Sequence, residues 1–456
     1  MPCAQAGQHS ELRWVGVAVL CLAQFVDVLG VTVVITALPA MLEALEAPAS
    51  ASSLVVTGYA MFFGGLLMLG ARLGDRYGHR HILEFGLVAF GAASLLAATS
   101  DTVTMLVLAR CAQGAAAAAS VPNALRLITG GTRDEHRRRA MAAWSATGAA
   151  AGASGFLLGG VLTDLAGWAA VFWVNVPLAV VLVLAVRATV SAGAGERSLG
   201  SLDLAGAALL TAGVMALVSG GSALEAHRQL PGLGLLTGGA ALLVALVHVE
   251  RRADRPLLPA EAVRDPNLRL GVVVALLNTA TTSSMMTLAT LHLQQTEGVS
   301  ASAAGVRFLP FSICVVAGSS LAAPLLRHRG PRVGAVVGLL LVAAGDAILL
   351  ALPIGDWILL AGVSVAGLGI GLASVASNTL GTDVPVAIQG TASGALNTAA
   401  QLGHALGVAA FLLLATSTRG SGLPLAGNPL AWGAAALTAG ICALVIARPS
   451  RRVTRR

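Results

Sequence analysis

Apolar residues run in long blocks along this chain, and short polar stretches punctuate them. Fourteen such blocks stand near 14–39, 53–72, 82–99, 104–127, 139–163, 170–187, 203–221, 232–250, 269–291, 303–326, 333–352, 357–380, 389–415 and 431–448. A helix of about 20 residues crosses the ~30 Å hydrocarbon core of a bilayer, and each block approaches or exceeds that length. Backbone groups in lipid must be satisfied within their own segment, so the blocks are predicted as α-helices. The expected fold class is therefore an all-α, multi-pass membrane protein. Blocks 7 and 8 and the break between blocks 5 and 6 at Asp164–Gly167 are the least marked, so twelve spans plus a surface-lying segment fit the same pattern.

The polar punctuation carries its own order. With the N-terminus placed in the cytoplasm, 24 of the 28 basic residues fall at cytoplasmic ends. Arg228, Arg307 and Arg419 fall on the other side, and only Arg110 lies within a block. That asymmetry follows the positive-inside rule. It predicts an inner-membrane protein with both termini cytoplasmic and an even number of spans. The first block is far longer than the apolar core of a cleavable signal, so it is expected to remain as a span.

Composition changes the picture only where it excludes. Hydrophobic residues make up 56% and charged residues 11%, against about 25% charged in soluble domains. The net charge of +7 comes entirely from arginine. It is read as topology, with no nucleic-acid partner. Cys3, Cys21, Cys111, Cys314 and Cys442 are scattered, with neither metal-ligand spacing nor a disulfide framework. No metal and no cofactor beyond a proton gradient is expected. No G-x-x-x-x-G-K-[ST] phosphate loop is present, which argues against ATP-driven pumping.

A faint repeat divides the chain. LLRHRGPR at Leu325–Arg332 aligns with LGDRYGHR at Leu73–Arg80, matching Gly330 to Gly78 and Arg332 to Arg80. These segments follow blocks 2 and 10. Two six-helix halves with an inserted pair explain that offset, giving units at 1–190, 191–262 and 263–456. Internal repeats of this kind are common in transporters that rock one half on the other.

The stretch GARLGDRYGHR, Gly70–Arg80, reads as a charged, glycine-rich hinge of about ten residues between two antiparallel helices. Arg72, Asp75, Arg76, Gly78 and Arg80 give it its character. With Leu73 it resembles the loop between helices 2 and 3 of the major facilitator superfamily, although Ala71 and His79 depart from the pattern. In that family the aspartate and its arginines gate the cytoplasmic mouth by pairing with neighbouring helices. A loop needed only for topology is the plainer reading.

Block 4 holds Arg110, with Gln113 and Gly114 on the same helical face. A cation there is costly without a partner or water. It either faces a cavity or snorkels and pairs structurally. With Ala116, Ala117 and Ala118 it resembles the superfamily's helix-4 motif, whose arginine is implicated in proton transfer. Block 1 carries Asp27 among apolar residues, where a carboxyl can take up and release a proton as access alternates. A structural ion pair is the alternative. Thr32 and Ala37-Leu38-Pro39 resemble the fourteen-helix drug/proton antiporter branch. That branch usually has its aspartate where Gly30 stands here, nearly one turn from Asp27.

Block 5 spaces Gly148, Gly152, Gly155 and Gly159 along one helical face, followed by Gly160. Small residues on one face let helices pack closely. The run also resembles the antiporter motif G-P-x-x-G-G, with Phe156 in place of the proline. Block 13 aligns Asn397, Gln401 and His404 as a polar stripe. The imidazole can titrate near physiological pH or serve as an interhelical hydrogen-bonding group. Gln24, Gln113, Asn278, Thr282, Met285, Asn397 and Gln401 are candidate cavity residues, and Asp346 is a further buried carboxyl that can carry a proton.

Taken together, these motifs identify the chain as similar to the fourteen-helix drug/proton antiporters. The resemblance implies a non-enzymatic secondary transporter, acting as a monomer in a lipid bilayer. It would export a drug or antibiotic-like small molecule in exchange for protons. Transport of a metabolite is the alternative within that class, and a non-transporting membrane sensor the alternative outside it.

Overall fold

The computed structural model describes residues 12–48, 50–132, 134–191, 204–226, 228–252, 260–354, 356–385, 388–416 and 429–447. Cys3, Arg419, the linkers 192–203 and 253–259 and the arginines at 448–456 lie outside these residues. Among the described residues the chain is helical and no strand occurs.

The first group of helices comprises α1 (Trp14–Ala44), α2 (Ala51–Tyr77), α3 (His79–Ala98), α4 (Val103–Gly131), α5 (Asp134–Ala166), α6 (Ala170–Trp173) and α7 (Asn175–Thr189). A hairpin follows, α8 (Leu204–Glu225) and α9 (Gln229–Arg252), then the short α10 (Ala260–Arg264). The last group comprises α11 (Pro266–Leu291), which ends in a π turn at His292–Thr296, then α12 (Ala301–Arg307), α13 (Leu309–Arg329), α14 (Pro331–Ile348), α15 (Asp356–Thr382), α16 (Gln389–Thr416) and α17 (Pro429–Ala447). Among the described residues, thirteen segments are long and apolar enough to cross a membrane, and fourteen when α5, bent by 42°, is taken as one span. The fourteen predicted blocks and the helices coincide.

The predicted ten-residue hinge does not. α2 runs on through Arg72, Gly74, Asp75 and Arg76 to Tyr77, and α3 begins at His79, so only Gly78 turns the chain. Apolarity ends where lipid ends, but the helical hydrogen bonds continue beyond it. Gly78 takes φ +98, a conformation open mainly to glycine, and its N–H donates to the Gly74 carbonyl at 2.8 Å. Gly330 repeats the device between α13 and α14, with φ +82 and its N–H on the Leu326 carbonyl at 3.0 Å. Just beyond each glycine an arginine reaches the end of the last helix of its own group. Arg80 Nη2 donates to the Arg187 carbonyl in α7 at 3.4 Å, and Arg332 Nε to the Ile446 carbonyl in α17 at 2.7 Å. The aligned glycines and arginines thus make the same turn and the same kind of contact in both places.

The helices alternate in direction, which gathers the arginine-bearing ends at one face of the bundle and leaves an arginine-poor face opposite. At the arginine-poor end a single packed core joins both groups, with Val33, Leu38, Phe156, Met285, Phe308 and Leu412 among its members. A second core, around Leu20, Tyr59, Phe90 and Trp144, belongs to the first group alone. The α8–α9 hairpin leans on the seam where α2 meets α16: Val214 and Val218 pack with Ala60 and Ala405, and the Ser53 and Ser222 hydroxyls share a hydrogen bond.

Candidate functional site

Buried polar side chains collect at the middle of the bundle, on either side of α2. Asp27, midway along α1, is 2% exposed, and neither carboxyl oxygen has a hydrogen-bond partner. Tyr59 of α2 donates its hydroxyl to the Asp27 backbone carbonyl at 3.0 Å. Its ring lies 4.9 Å from the Arg110 guanidinium, in cation–π contact. Arg110, fully buried on α4, donates Nη1 to Gln113 Oε1 at 3.0 Å and Nε to the Val55 carbonyl at 3.4 Å. Gln113 passes the chain on, donating Nε2 to Ser94 Oγ of α3 at 2.8 Å. Arg110 Nη2 has no partner.

Asp27 and Arg110 therefore belong to one assembly, but as groups bridged by Tyr59 and not as an ion pair. The close approach of α2 and α4 depends on Gly114, where a Cβ would lie 3.0 Å from Tyr59 Cα and collide with its carbonyl.

The facing group contributes fewer contacts. His404 of α16 is buried, with Nδ1 on Ser283 Oγ of α11 at 2.8 Å and Nε2 unpartnered. Asn278 donates to Ser374 Oγ of α15 at 3.1 Å and leaves its carbonyl oxygen unpartnered, as Thr282 leaves its hydroxyl.

The predicted cavity residues fall in different surroundings. Gln113 is spent on Arg110 and Ser94. Gln24 is half-buried and, in the amide orientation that pairs both ends, meets the Trp144 carbonyl at 2.9 Å and its indole N–H at 3.2 Å. Met285 is fully buried in the core that joins the groups. Asn397 is exposed and bonded to the Ser393 carbonyl of its own helix, so the predicted stripe of block 13 is graded from outside to inside. Gln401 packs against Gly64 of α2. Asp346 lies inside the last group, away from this seam.

The glycine face of α5 divides in the same graded way. Gly155 and Gly159 pack against α1 at Thr32, Val33 and Thr36, and Gly160 against Ala301 of α12. Gly148 approaches Gln24, while beside Gly152 there is open space. The contacts that join the two groups at this side thus concentrate toward the arginine-poor face. There Asp164 of α5 accepts hydrogen bonds from the Ser302 hydroxyl and, at 2.9 Å, from its backbone N–H. Gln294 of the π turn donates to the Thr36 carbonyl at 2.8 Å, and the Phe156 ring meets the Phe308 and Phe311 rings edge-on. The π turn is braced by Glu297, which lies 2.9 Å from His292 Nε2 and 2.8 Å from Arg307 Nη1.

At the arginine-rich face of the first group, several charged side chains pair locally. Asp75 Oδ1 lies 3.4 Å from His79 Nε2, Arg80 and Arg187 share Glu84 at 2.8 and 3.1 Å, and Arg76 stacks over Tyr77.

Sequence reasoning missed Tyr59, Ser94, Ser283 and Asp164. Tyr59 left the clearest signal, as one of only two tyrosines, set deep in an apolar block where its hydroxyl needs a partner.

Comparison with known proteins agrees with this architecture. The family profile described as Major Facilitator Superfamily matches residues 20–408. The chain is 33% identical to the lincomycin resistance protein of Streptomyces lincolnensis, over 91% of this chain and 87% of that one. It is 36% identical to the puromycin resistance protein pur8 of Streptomyces alboniger, over 87% and 80%. It is 35% identical to the cephamycin export protein CmcT of Amycolatopsis lactamdurans, over 89% and 85%. The crystal structure of the human organic anion transporter MFSD10 (TETRAN) superposes with a TM-score of 0.64 over 95% of this chain and 99% of that one; at 17% identity this shows the fold alone. The chain belongs to the Major Facilitator Superfamily, and is a multi-pass membrane transporter rather than an enzyme.

Proposed function

We propose that this protein exports a drug- or antibiotic-like small molecule from the cytoplasm in exchange for protons. The arginine-rich face and both termini would be cytoplasmic, in keeping with the charge asymmetry. One observation carries the reading. In the interiors of both groups, buried polar atoms lack partners: both Asp27 oxygens, Arg110 Nη2, His404 Nε2, the Asn278 carbonyl oxygen and the Thr282 hydroxyl. Buried polar groups are normally satisfied. Orphans gathered from both groups suit a site completed by a proton, water or the transported molecule.

In this arrangement the arginine-poor face is closed by Asp164, Gln294 and the Phe156 cluster, a state suited to loading from the cytoplasm. A proton arriving at Asp27 removes its negative charge from beside the Tyr59–Arg110 unit. The balance between the inward- and outward-open arrangements then changes only as far as the two states bind that proton differently. The names of three relatives point to antibiotics as the substrate class. Asp75 and its arginines would pair across the groups only when the cytoplasmic face closes.

The test is proton movement in energised everted vesicles, followed with a pH-sensitive dye while lincomycin, puromycin and a cephamycin are added in turn. Compound-dependent loss of the gradient, absent in Asp27→Asn, is the expected result. Compound transport with no proton movement would overturn the coupling. No response to any compound of a broad antibiotic panel would move metabolite transport to the front.

A further inference from the structure

Asp346 is fully buried, neither of its carboxyl oxygens has a hydrogen-bond partner, and the seam described above does not use it. It stands two residues before the end of α14, toward the arginine-poor face. The internal repeat gives this position a counterpart. Ser94 follows the turn at Gly78 by the same interval as Asp346 follows the turn at Gly330. In the first group that place holds the hydroxyl that ends the Arg110–Gln113–Ser94 chain. In the last group it holds a carboxyl with no chain attached.

The surroundings offer Asp346 no counter-charge. Next to it α14 and α15 cross nearly backbone to backbone, and a Cβ on Gly345 would come within 2.6 Å of the Gly362 carbonyl oxygen. The only charged residue of α15 is Asp356, at its start, and the only ionisable residue of α17 is Cys442, in its second half. Besides Cys314, α13 carries its ionisable groups at the arginine-rich end, Arg327, His328 and Arg329, and α11 has only Arg269 there. On α14 itself the nearest charge is Arg332, roughly 20 Å along the axis. The 3₁₀ turn Leu349–Ile354 is uncharged. An ionised carboxylate is strongly disfavoured in such a place. No group of three or more metal-ligating His, Cys, Asp or Glu side chains occurs among the described residues. A proton is the one cation that a lone carboxyl can hold by itself.

We propose that Asp346 is a second proton-binding site, so that this protein carries one proton in each of its two repeated groups, at Asp27 and at Asp346. The proposal rests on the antiport reading for its functional meaning, but its chemistry is separate: one O–H bond forms when Asp346 is loaded and breaks when α14 and α15 admit water.

Two measurements on the full chain in lipid test it. In infrared difference spectra across an alkaline jump, the protonated-carboxyl C=O band should lose one contribution in Asp346→Asn and another in Asp27→Asn. Asp346→Ser, which installs the residue of the related position, should lose the same contribution as Asp346→Asn and remain monodisperse. An unchanged band in both Asp346 variants overturns the proposal. If only the Asp27 contribution is missing from the wild-type spectrum, the antiport reading fails and the Asp346 site stands. Should both variants misfold, the wild-type chain is treated with dicyclohexylcarbodiimide, which attacks protonated carboxyls in apolar surroundings, and mapped by peptide mass. Labelling of Asp346 that falls as pH rises is the expected result. Labelling of Asp27 without Asp346 at every pH overturns it.

Discussion

The two repeated helix groups share a scaffold and differ in what they bury. Each turns on a positive-φ glycine, Gly78 or Gly330, and each sends an arginine, Arg80 or Arg332, to the end of its last helix. Inside the first group the buried polar groups are linked: Asp27, Tyr59, Arg110, Gln113 and Ser94 are joined by hydrogen bonds and a cation–π contact. Inside the last group they are separate, with His404 on Ser283, Asn278 on Ser374 and Asp346 alone. Turn and packing positions answer to the geometry of a helical hairpin, which is the same in both groups. Interior polar positions answer to chemistry, which is free to differ once the scaffold is satisfied.

This contrast can be broken in several places, and the largest effect is expected at Asp27. Asp27→Asn keeps the shape and loses the proton. Substrate-dependent proton flux in vesicles should fall by on the order of a hundredfold, the scale of a lost proton-transfer group. The wild-type flux itself should fall as lumenal pH rises, because in everted vesicles the proton-loading side faces the lumen, and the variant should lose this dependence.

Arg110→Ala should come next. It leaves Gln113 and the Tyr59 ring without their cation, and removing one member of a buried charged network costs about 3 kcal/mol. A thermal melt in detergent reads this directly. Arg110→Lys should recover little of it, since an ammonium cannot reproduce the directed contacts of the guanidinium. Equal melting of wild type and Arg110→Ala would mean that the linked interior of the first group contributes no stability.

A smaller effect is expected where the groups meet. Asp164→Asn weakens the acceptor for Ser302, at a cost of about 1.5 kcal/mol for a hydrogen bond to a charged group, roughly a tenfold shift between closed and open seams. Ala301→Cys, placed against Gly160 in a chain otherwise free of cysteine, should then label faster with an impermeant maleimide. Unchanged labelling would remove Asp164 from the closure.

Tyr59→Phe should have the least effect. The ring and its contact with Arg110 survive, and only the hydrogen bond to the Asp27 carbonyl is lost, about 1 kcal/mol. A melt shifted as far as that of Arg110→Ala would show that the hydroxyl, not the ring, joins the two buried groups.

Much of this architecture was legible before the fold. All fourteen blocks became helices because lipid leaves the backbone no other solution. The Gly78–Gly330 pairing survived because only glycine turns so tightly there. The ten-residue hinge was misread because loss of apolarity marks the edge of lipid and not the end of a helix: Arg72, Asp75 and Arg76 are all helical. Among site residues, Asp27 and Arg110 stood out as charges inside apolar blocks. Tyr59, Ser94 and Ser283 did not, because a hydroxyl in an apolar helix commonly bonds its own backbone, as Thr36 and Ser284 do here.

The sequence by itself determined the all-helical membrane class, the span pattern and the family, since each depends on local composition or on spacing along the chain. The tertiary structure alone decided that Tyr59 stands between Asp27 and Arg110, that Gln113 bonds Arg110 and Ser94, that Met285 is packed in the core, that Asp164 meets Ser302 and that Asp346 is left without a partner. Those outcomes depend on which helix faces meet across hundreds of residues, and helical periodicity specifies a face without specifying its neighbour.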